Sequence, residues 1–212
     1  DSEGLWIERN DGDVIWRPLN NPPRLTGSFF VEENPRSFGL LQRDRAFESY
    51  QDAAAHYEKR PSLVIEPAGE WGKGAVRLVE IPTELEANDN IVAFWNPARK
   101  PEAGDELLLG YRLYWGAQAP ARPPLAQCVA TRTGLGGVIG KKRTYFSWRF
   151  AVDFSGGDLA LIGANAAVTP VITASAGARV EITSARPLHA VLGYRALFDV
   201  VPTASTDAIE LR

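Results

Sequence analysis

The sequence predicts an all-β protein. Its 19 glycines and 15 prolines divide the 212-residue chain into short segments, and apolar side chains alternate with polar ones within those segments. Alternation with a period of two is typical of strands that have one buried side and one solvent-facing side, and helical periodicity is nearly absent. Apolar residues make up 45% of the chain and charged residues 23%, which is enough apolar material for a globular core.

The expected strands follow one another along the chain. They cover residues 62–66, 75–81, 91–95, 107–115, 126–132, 146–154, 168–174, 178–183, 192–200 and 208–211. The clearest is 146–154, where aromatic and aliphatic side chains share one parity. Because each such strand needs one buried face, we expect a two-sheet sandwich between about residue 105 and residue 212. Its predicted core consists of Phe146, Trp148, Phe150, Leu192, Tyr194 and Phe198.

The only expected helix has one to three turns between Ser49 and Glu58, where Asp52 precedes several helix formers. Residues 96–105 contain two prolines, a glycine and several charges, which suits an exposed connection. This connection predicts two domains, 1–100 and 101–212. A second proline-rich segment, 117–124, is the alternative boundary and would place the strand at 107–115 in the first domain.

Composition excludes several classes of function. No apolar run approaches the roughly 20 residues of a membrane-spanning helix, so we expect no membrane insertion. Residues 1–98 hold 10 basic and 17 acidic residues, which argues against a nucleic-acid partner. One cysteine, Cys128, and two distant histidines, His56 and His189, predict no metal site and no cofactor. The absence of methionine indicates a processed or truncated chain.

Six short runs carry a resemblance to a known family. They are WRPLNNP at 16–22, FGLLQR at 38–43, RPS at 60–62, GEWGKG at 69–74, VEIPT at 79–83 and NDNIVAFW at 88–95. In their order and spacing over residues 1 to about 116, these runs resemble the periplasmic glucan biosynthesis proteins G and D. Residues 117–212 resemble the family only in their position and all-β character.

The resemblance implies a fold, a compartment and a ligand. Residues 1–100 would be the C-terminal part of a galactose-mutarotase-like β-sandwich, and 101–212 an immunoglobulin-like β-sandwich able to bind a protein partner. Family members are exported to the periplasm and act on β-1,2-glucan backbones. Some are inverting endo-β-1,2-glucanases, and others bind or process glucan with little hydrolysis, so the resemblance leaves both an enzyme and a binding factor open.

Glucan recognition needs flat apolar surfaces for pyranose rings and planar hydrogen-bonding groups for hydroxyls. Both kinds of group occur within the motifs of the first 95 residues. The candidate substrate-binding residues are Trp71, Trp16, Trp6, Arg17, Asn20, Gln42, Arg43 and Lys73. Glycines at 69, 72 and 74 surround Trp71, so we expect this side chain in an exposed turn.

Cleavage of a glycosidic bond typically uses two carboxyl groups. Glu70 is the preferred general acid, because the neighbouring Trp71 could raise its pKa, although Lys73 would act in the opposite direction. The resemblance implies an acidic residue, often aspartate, in this region. Asp44 and Asp52 are the alternatives, with a salt bridge to the flanking arginines as the structural role of Asp44. Asp1 is a further carboxylate that could approach the site, and the second catalytic group stays unassigned.

Overall fold

The computed structural model describes residues 2–85, 87–120, 125–163, 165–203 and 208–212. It divides into two compact units, Asp1–Arg122 and Pro123–Arg212. The predicted all-β class is confirmed, because twelve strands in antiparallel sheets account for most of the regular structure in the described ranges. The boundary between the two units falls within residues 117–124, the second of the two proline-rich segments.

The first unit contains eight described strands. They are β1 (Gly4–Glu8), β2 (Val14–Pro18), β3 (Thr26–Glu33), β4 (Ser37–Leu41), β5 (Ser62–Pro67), β6 (Lys73–Glu80), β7 (Ile91–Pro97) and β8 (Tyr111–Gly116). A five-stranded sheet has the order β2-β1-β4-β5-β8, and a three-stranded sheet has the order β3-β6-β7. The strand expected at 107–115 is therefore β8, which pairs with β5 in the first unit.

The core of the first unit lies between its two sheets. Leu5, Ile7 and Phe38 from the five-stranded sheet meet Val76, Leu78 and Trp95 from the three-stranded sheet, and all six are buried. Alternation along β1 turns Leu5 and Ile7 inward, so Gly4, Trp6 and Glu8 face the opposite, outer side. This arrangement is a β-sandwich.

Sequence analysis missed β1 to β4 and placed the helix wrongly. Helix α1 covers only Phe47–Tyr50, and a 3₁₀ turn follows at Tyr57–Lys59. The Asp52 carboxylate accepts hydrogen bonds from the backbone N–H groups of Ala54 and Ala55, as a helix cap would. The turn goes no further because His56 has a left-handed backbone with φ of 49°.

The second unit is built on one four-stranded antiparallel sheet in its described residues. Its strands are β9 (Gln127–Leu135), β10 (Trp148–Ser155), β11 (Ala178–Leu188) and β12 (Gly193–Pro202), in the order β11-β12-β10-β9. The strands expected at 168–174 and 208–211 contribute one isolated bridge between Ala174 and Leu211. A 3₁₀ turn at Gly157–Leu161 and another at His189–Val191 complete the regular elements.

The predicted core of this unit is correct in its centre and wrong at its ends. Tyr194 and Phe198 are buried, and Phe150 stacks on Phe198 with 5.3 Å between ring centroids. Phe146, Trp148 and Leu192 are instead 47%, 46% and 70% exposed. Phe146 precedes β10, and Leu192 precedes β12 in a left-handed conformation, so neither belongs to the strand that its parity suggested.

The other side of this sheet carries buried charges. Asp153 on β10 accepts hydrogen bonds from Arg195 at 2.6 and 2.9 Å and from Arg132 at 2.7 Å. Asp199 on β12 accepts from Arg149 at 2.6 and 3.0 Å. Both aspartates are almost fully buried, and such pairing is the condition under which a sheet can bury carboxylates.

Within the described ranges, no helix has the length and apolar character to span a bilayer.

Candidate glucan-binding site

The candidate residues separate into two groups at opposite ends of the five-stranded sheet. The first end is formed by Gly4, Pro18 and Leu41, which lie across from one another in the strand register. Residues Arg17, Asn20, Gln42, Arg43 and Asp44 are in or next to this end, and Asp52 lies in the loop that follows helix α1. Glu70, Trp71 and Lys73 are at the other end, where Gly72 and Asn34 exchange hydrogen bonds in the turn before β4.

At the first end, two tryptophans share the outer face of the sheet. Trp6 on β1 lies directly opposite Trp16 on β2, so their side chains are neighbours on one face. The Trp16 indole packs so closely on Gly4 that a Cβ atom there would collide with the ring. The Arg43 guanidinium stacks on the Trp16 ring at 3.6 Å from its centroid. We call Glu3, Trp6, Trp16 and Arg43 the Trp16 cluster.

Glu3 binds the backbone at Arg43 and was missed in the sequence analysis. Its Oε2 accepts hydrogen bonds from the backbone N–H of Arg43 and, at 2.8 Å, from that of Asp44. The Tyr50 hydroxyl donates to the Asp44 carbonyl at 3.0 Å. Burial, together with the negative charges of Glu3 and Asp44, raises the pKa of Tyr50, so its phenol stays protonated. A single glutamate at the chain start gives no pattern that sequence reasoning could use.

Arg17 and Asn20 are bound to a buried carboxylate. Glu80, 1% exposed, accepts from Arg17 Nη2 at 2.8 Å and from the backbone N–H of Asn20 at 2.7 Å. Sequence analysis placed Arg17 and Asn20 in contact with sugar and left out Glu80. The available signal was that Glu80 alternates in step with Val76 and Leu78, which face the core. A carboxylate buried at such a position needs a cationic partner.

Gln42 and the following loop are fixed by internal hydrogen bonds. The Gln42 amide donates to the carbonyls of Tyr57 and Asp44, and Gln42 is buried. Arg45 donates to four backbone carbonyls, those of Gln42, Glu58, Arg60 and Ala117, at 2.8–3.2 Å. The segment 42–60 is thus tied to the sheet end by two side chains, only one of which the sequence singled out.

The two alternative catalytic aspartates serve as local caps. Asp44 Oδ1 accepts from the backbone N–H of Ala46 at 2.9 Å, and no ion pair joins Asp44 to the flanking arginines in the described part of the chain. Asp52 Oδ1 accepts two backbone N–H groups at 2.8 Å each. The hydrogen bond from Ala55, and to a lesser extent that from Ala54, lowers the pKa of Asp52. Its carboxyl group is therefore ionised at neutral pH and poorly suited to donate a proton.

Trp71 is not in an exposed turn, contrary to the sequence prediction. Its ring is half-buried against the sandwich core, with centroids 6.2 Å from Phe38, 6.0 Å from Trp95 and 6.4 Å from Tyr111. Its indole N–H donates to the Gly110 carbonyl at 3.0 Å. Glu70 beside it is exposed, so Trp71 packs inward and leaves the Glu70 carboxylate in solvent.

The two ends are too far apart for one catalytic pair. Strand β5 begins beside the Asp44 end at Ser62 and finishes beside the Glu70 end at Pro67. Five steps of about 3.3 Å give roughly 16 Å between them. Carboxyl groups of inverting glycosidases stand about 6.5–9.5 Å apart. Glu70 and Asp44 lie beside opposite ends of this strand, so we do not expect them to form such a pair. Asp1 lies outside the described residues.

The described residues bring together no group of three His, Cys, Asp or Glu side chains able to hold a metal ion. His56 is near Glu58 and Lys59 on the surface, and His189 belongs to a 3₁₀ turn of the other unit. The chemistry that the Trp16 cluster offers is aromatic stacking, the guanidinium of Arg43 and the carboxylate of Glu3.

Comparison with known proteins agrees with the sequence motifs. The profile of the family described as "Periplasmic glucan biosynthesis protein, MdoG" matches residues 1–212. The chain is 63% identical over 213 residues to Glucans biosynthesis protein D of Stenotrophomonas maltophilia, and 60% identical over 215 residues to that of Xanthomonas axonopodis pv. citri. All of this chain and 40% of each relative are covered, so the chain spans about two fifths of their length.

The match extends over both units, including the region after residue 116 in which motifs gave little resemblance. The match with the Stenotrophomonas maltophilia protein spans all 212 residues of the chain, and so it includes the positions of the Trp16 cluster and the segment 42–60. The chain belongs to the MdoG family of periplasmic glucan biosynthesis proteins.

Proposed function

We propose that this chain is the part of a periplasmic glucan biosynthesis protein that holds a β-1,2-glucan backbone, and that the Trp16 cluster is the contact surface. The name of the family and those of the relatives support the glucan and the periplasm. The observation that carries the site is the placement of Trp6 directly opposite Trp16, with the Arg43 guanidinium on the latter ring. Aromatic faces and a guanidinium suit the apolar faces and hydroxyls of a sugar.

Two of the other candidate residues are hydrogen-bonded within the protein, so fewer side chains are proposed to contact the sugar. Arg17 is paired with Glu80, and Gln42 donates to two carbonyls, so both groups already have partners within the protein. A pyranose that stacks on the outer ring face of Trp16 must displace Arg43. The Arg43 guanidinium then donates to sugar hydroxyls, so Arg43 and Trp16 act together in this proposal.

Calorimetric titration of the chain with linear β-1,2-glucan tests the proposal. We expect Trp16→Ala and Trp6→Ala each to weaken binding about tenfold, the equivalent of about 1.4 kcal/mol. Trp115→Ala is the matched control, since Trp115 is 66% exposed on β8 at the far edge of the same sheet. Unchanged affinity in a folded Trp16→Ala variant, shown by circular dichroism, would refute this site.

Hydrolysis is the second candidate function, as an inverting endo-β-1,2-glucanase. Among the candidate acids, position favours Asp44 over Glu70, because Asp44 follows Arg43 in the segment held by Glu3. Its partner carboxylate would come from outside this chain. Reducing-end assays on a full-length family protein carrying this chain should lose about 10²–10⁴-fold in rate on Asp44→Asn and little on Glu70→Gln. The reverse result would return the role of acid to Glu70.

A protein partner for the second unit is a separate proposal. It is supported by the exposed Phe146 and Trp148, whose rings meet edge to face with 5.2 Å between centroids. Binding of a partner at this end of the sheet should quench Trp148 fluorescence, whereas a partner elsewhere should leave it unchanged.

A further inference from the structure

The outer face of the three-stranded sheet is apolar with one cation at its centre. The register places Phe29, Arg77 and Phe94 directly across from one another on β3, β6 and β7. Val31 and Val92 continue this face on the two edge strands and, like Phe29, are exposed. The opposite face of the same sheet packs in the sandwich core. Contiguous exposed apolar surface of this kind marks a site of interaction.

Arg77 has no acceptor in the part of the chain that the structure describes. Its guanidinium lies 4.4 Å from the ring centroid of Phe29 and 5.6 Å from that of Phe94. Its Nε is shielded from solvent and makes no hydrogen bond. A shielded charged donor without an acceptor is costly, and a carboxylate can satisfy a guanidinium with two parallel hydrogen bonds. An anion positioned above Arg77 would satisfy this donor.

The neighbours of Arg77 favour a polypeptide over a sugar as the occupant. A glucan needs several hydrogen-bonding groups around each ring, whereas Arg77 is surrounded by phenylalanine and valine side chains. The relatives contain a further three fifths of chain that this sequence does not span. We propose that this face docks a segment from that remaining part of the family proteins, with a carboxylate bound to Arg77 and apolar side chains over Phe29 and Val31.

The test compares the chain alone with a full-length chimera, in which this chain replaces the matched segment of the Stenotrophomonas maltophilia protein. Val31 is 77% exposed, so Val31→Cys, in a Cys128→Ser background, should react rapidly with a maleimide in the chain alone. We expect its labelling rate, measured by peptide mass spectrometry, to fall at least tenfold in the chimera. Ile139→Cys, 96% exposed in the second unit, provides the reference rate.

Each other outcome contradicts the proposal. If the labelling rate of Val31→Cys relative to Ile139→Cys is the same in both proteins, the face is open to solvent in the chimera too. Protection in the chain alone that rises with protein concentration would assign the face to a second copy. Protection that appears only on addition of linear β-1,2-glucan would assign it to a sugar. None of these outcomes depends on whether the Trp16 cluster binds glucan, so the two proposals fail separately.

The carboxylate is tested by a second pair of variants. Arg77→Gln should lower the Tm of the chimera by at least about 4 °C more than that of the chain alone, because only the chimera contains the acceptor. Arg77→Lys keeps the charge but not the forked geometry, and should recover part of this difference. Identical Tm shifts in both proteins would show that no anion docks on Arg77.

Discussion

At the residue scale, Arg17 has a partner within the protein that predicts a role in stability. Its guanidinium bonds to Glu80, whose side chain is almost completely buried. Removal of one partner of a buried ion pair leaves an uncompensated charge and typically costs about 3–5 kcal/mol. We therefore expect Arg17→Ala to lower the free energy of unfolding, measured by urea denaturation, by an amount at or somewhat below that range.

The matched control is Arg112→Ala. Arg112 and Glu66 form an ion pair at 3.0 Å on the same sheet, but both side chains are substantially exposed, so their pairing should contribute no more than about 1 kcal/mol. If Arg17→Ala costs no more than this control and glucan affinity falls instead, Arg17 is a ligand to the sugar and not an anchor for Glu80.

Trp71 presents the same choice between a core role and a ligand role. Its ring touches Phe38, Trp95 and Tyr111, so Trp71→Ala should remove a large part of the packing at that end of the sandwich. Truncation of a core tryptophan costs about 3–5 kcal/mol. We expect a clear fall in urea midpoint for Trp71→Ala with glucan affinity retained in the folded fraction. A stable variant that no longer binds glucan would restore the original prediction for Trp71.

At the element scale, the segment 42–60 depends on one arginine. Arg45 donates to four carbonyls from three parts of the chain, and only the planar fork of arginine can reach so many acceptors. Arg45→Lys should therefore raise amide hydrogen exchange across 42–60 while β1 and β4 remain protected. Unchanged exchange in that segment would mean that the Gln42 hydrogen bonds alone hold it.

The ion pair between Asp153 on β10 and Arg195 on β12 should make the stability of the second unit depend on pH. Hydrogen bonds from Arg195 and then Arg132 lower the pKa of Asp153 in the folded state. A carboxyl group with a depressed folded pKa stabilises the fold above its unfolded pKa, about 3.9, and this stability is lost as the pH falls through the folded value. We expect urea stability to decline below about pH 4, with a shallower decline in Asp153→Asn. Glu210→Gln, in an exposed pair with Arg212, should keep the wild-type slope.

The elements also show what sequence alone can and cannot predict. Strands such as β5, β7 and β12 were predicted nearly to their ends, because alternation is a local property. Strands β1 to β4 were missed, since glycines and prolines break their pattern, and Gly4 and Gly39 are needed for close packing. The Trp16 cluster joins residues from three segments, so no local pattern could reveal Glu3 beneath Arg43.

At the scale of the whole molecule, parity shows which side chains share a face but not what covers that face. In the second unit, Tyr194 and Phe198 are buried while Trp148, of the same face, is half exposed. In the first unit, Phe29 and Phe94 lie on a solvent-facing side, although their strands are strongly apolar. Burial depends on a second layer, which is a non-local property of the fold.

The placement of carboxylates across the first unit leads to the last prediction: the isolated chain binds linear β-1,2-glucan without hydrolysing it. Inverting cleavage needs an acid and a base about 6.5–9.5 Å apart. Glu70 follows the end of β5 at Pro67, which is roughly 16 Å from the end beside Asp44 by the rise per strand residue, and Asp52 is ionised and bound to two N–H groups. Reducing ends should therefore stay constant while titration detects binding. Release of reducing ends by the chain alone, abolished by Asp44→Asn, would show that a complete catalytic pair lies within these residues, with Glu3 as the first carboxylate to replace by glutamine.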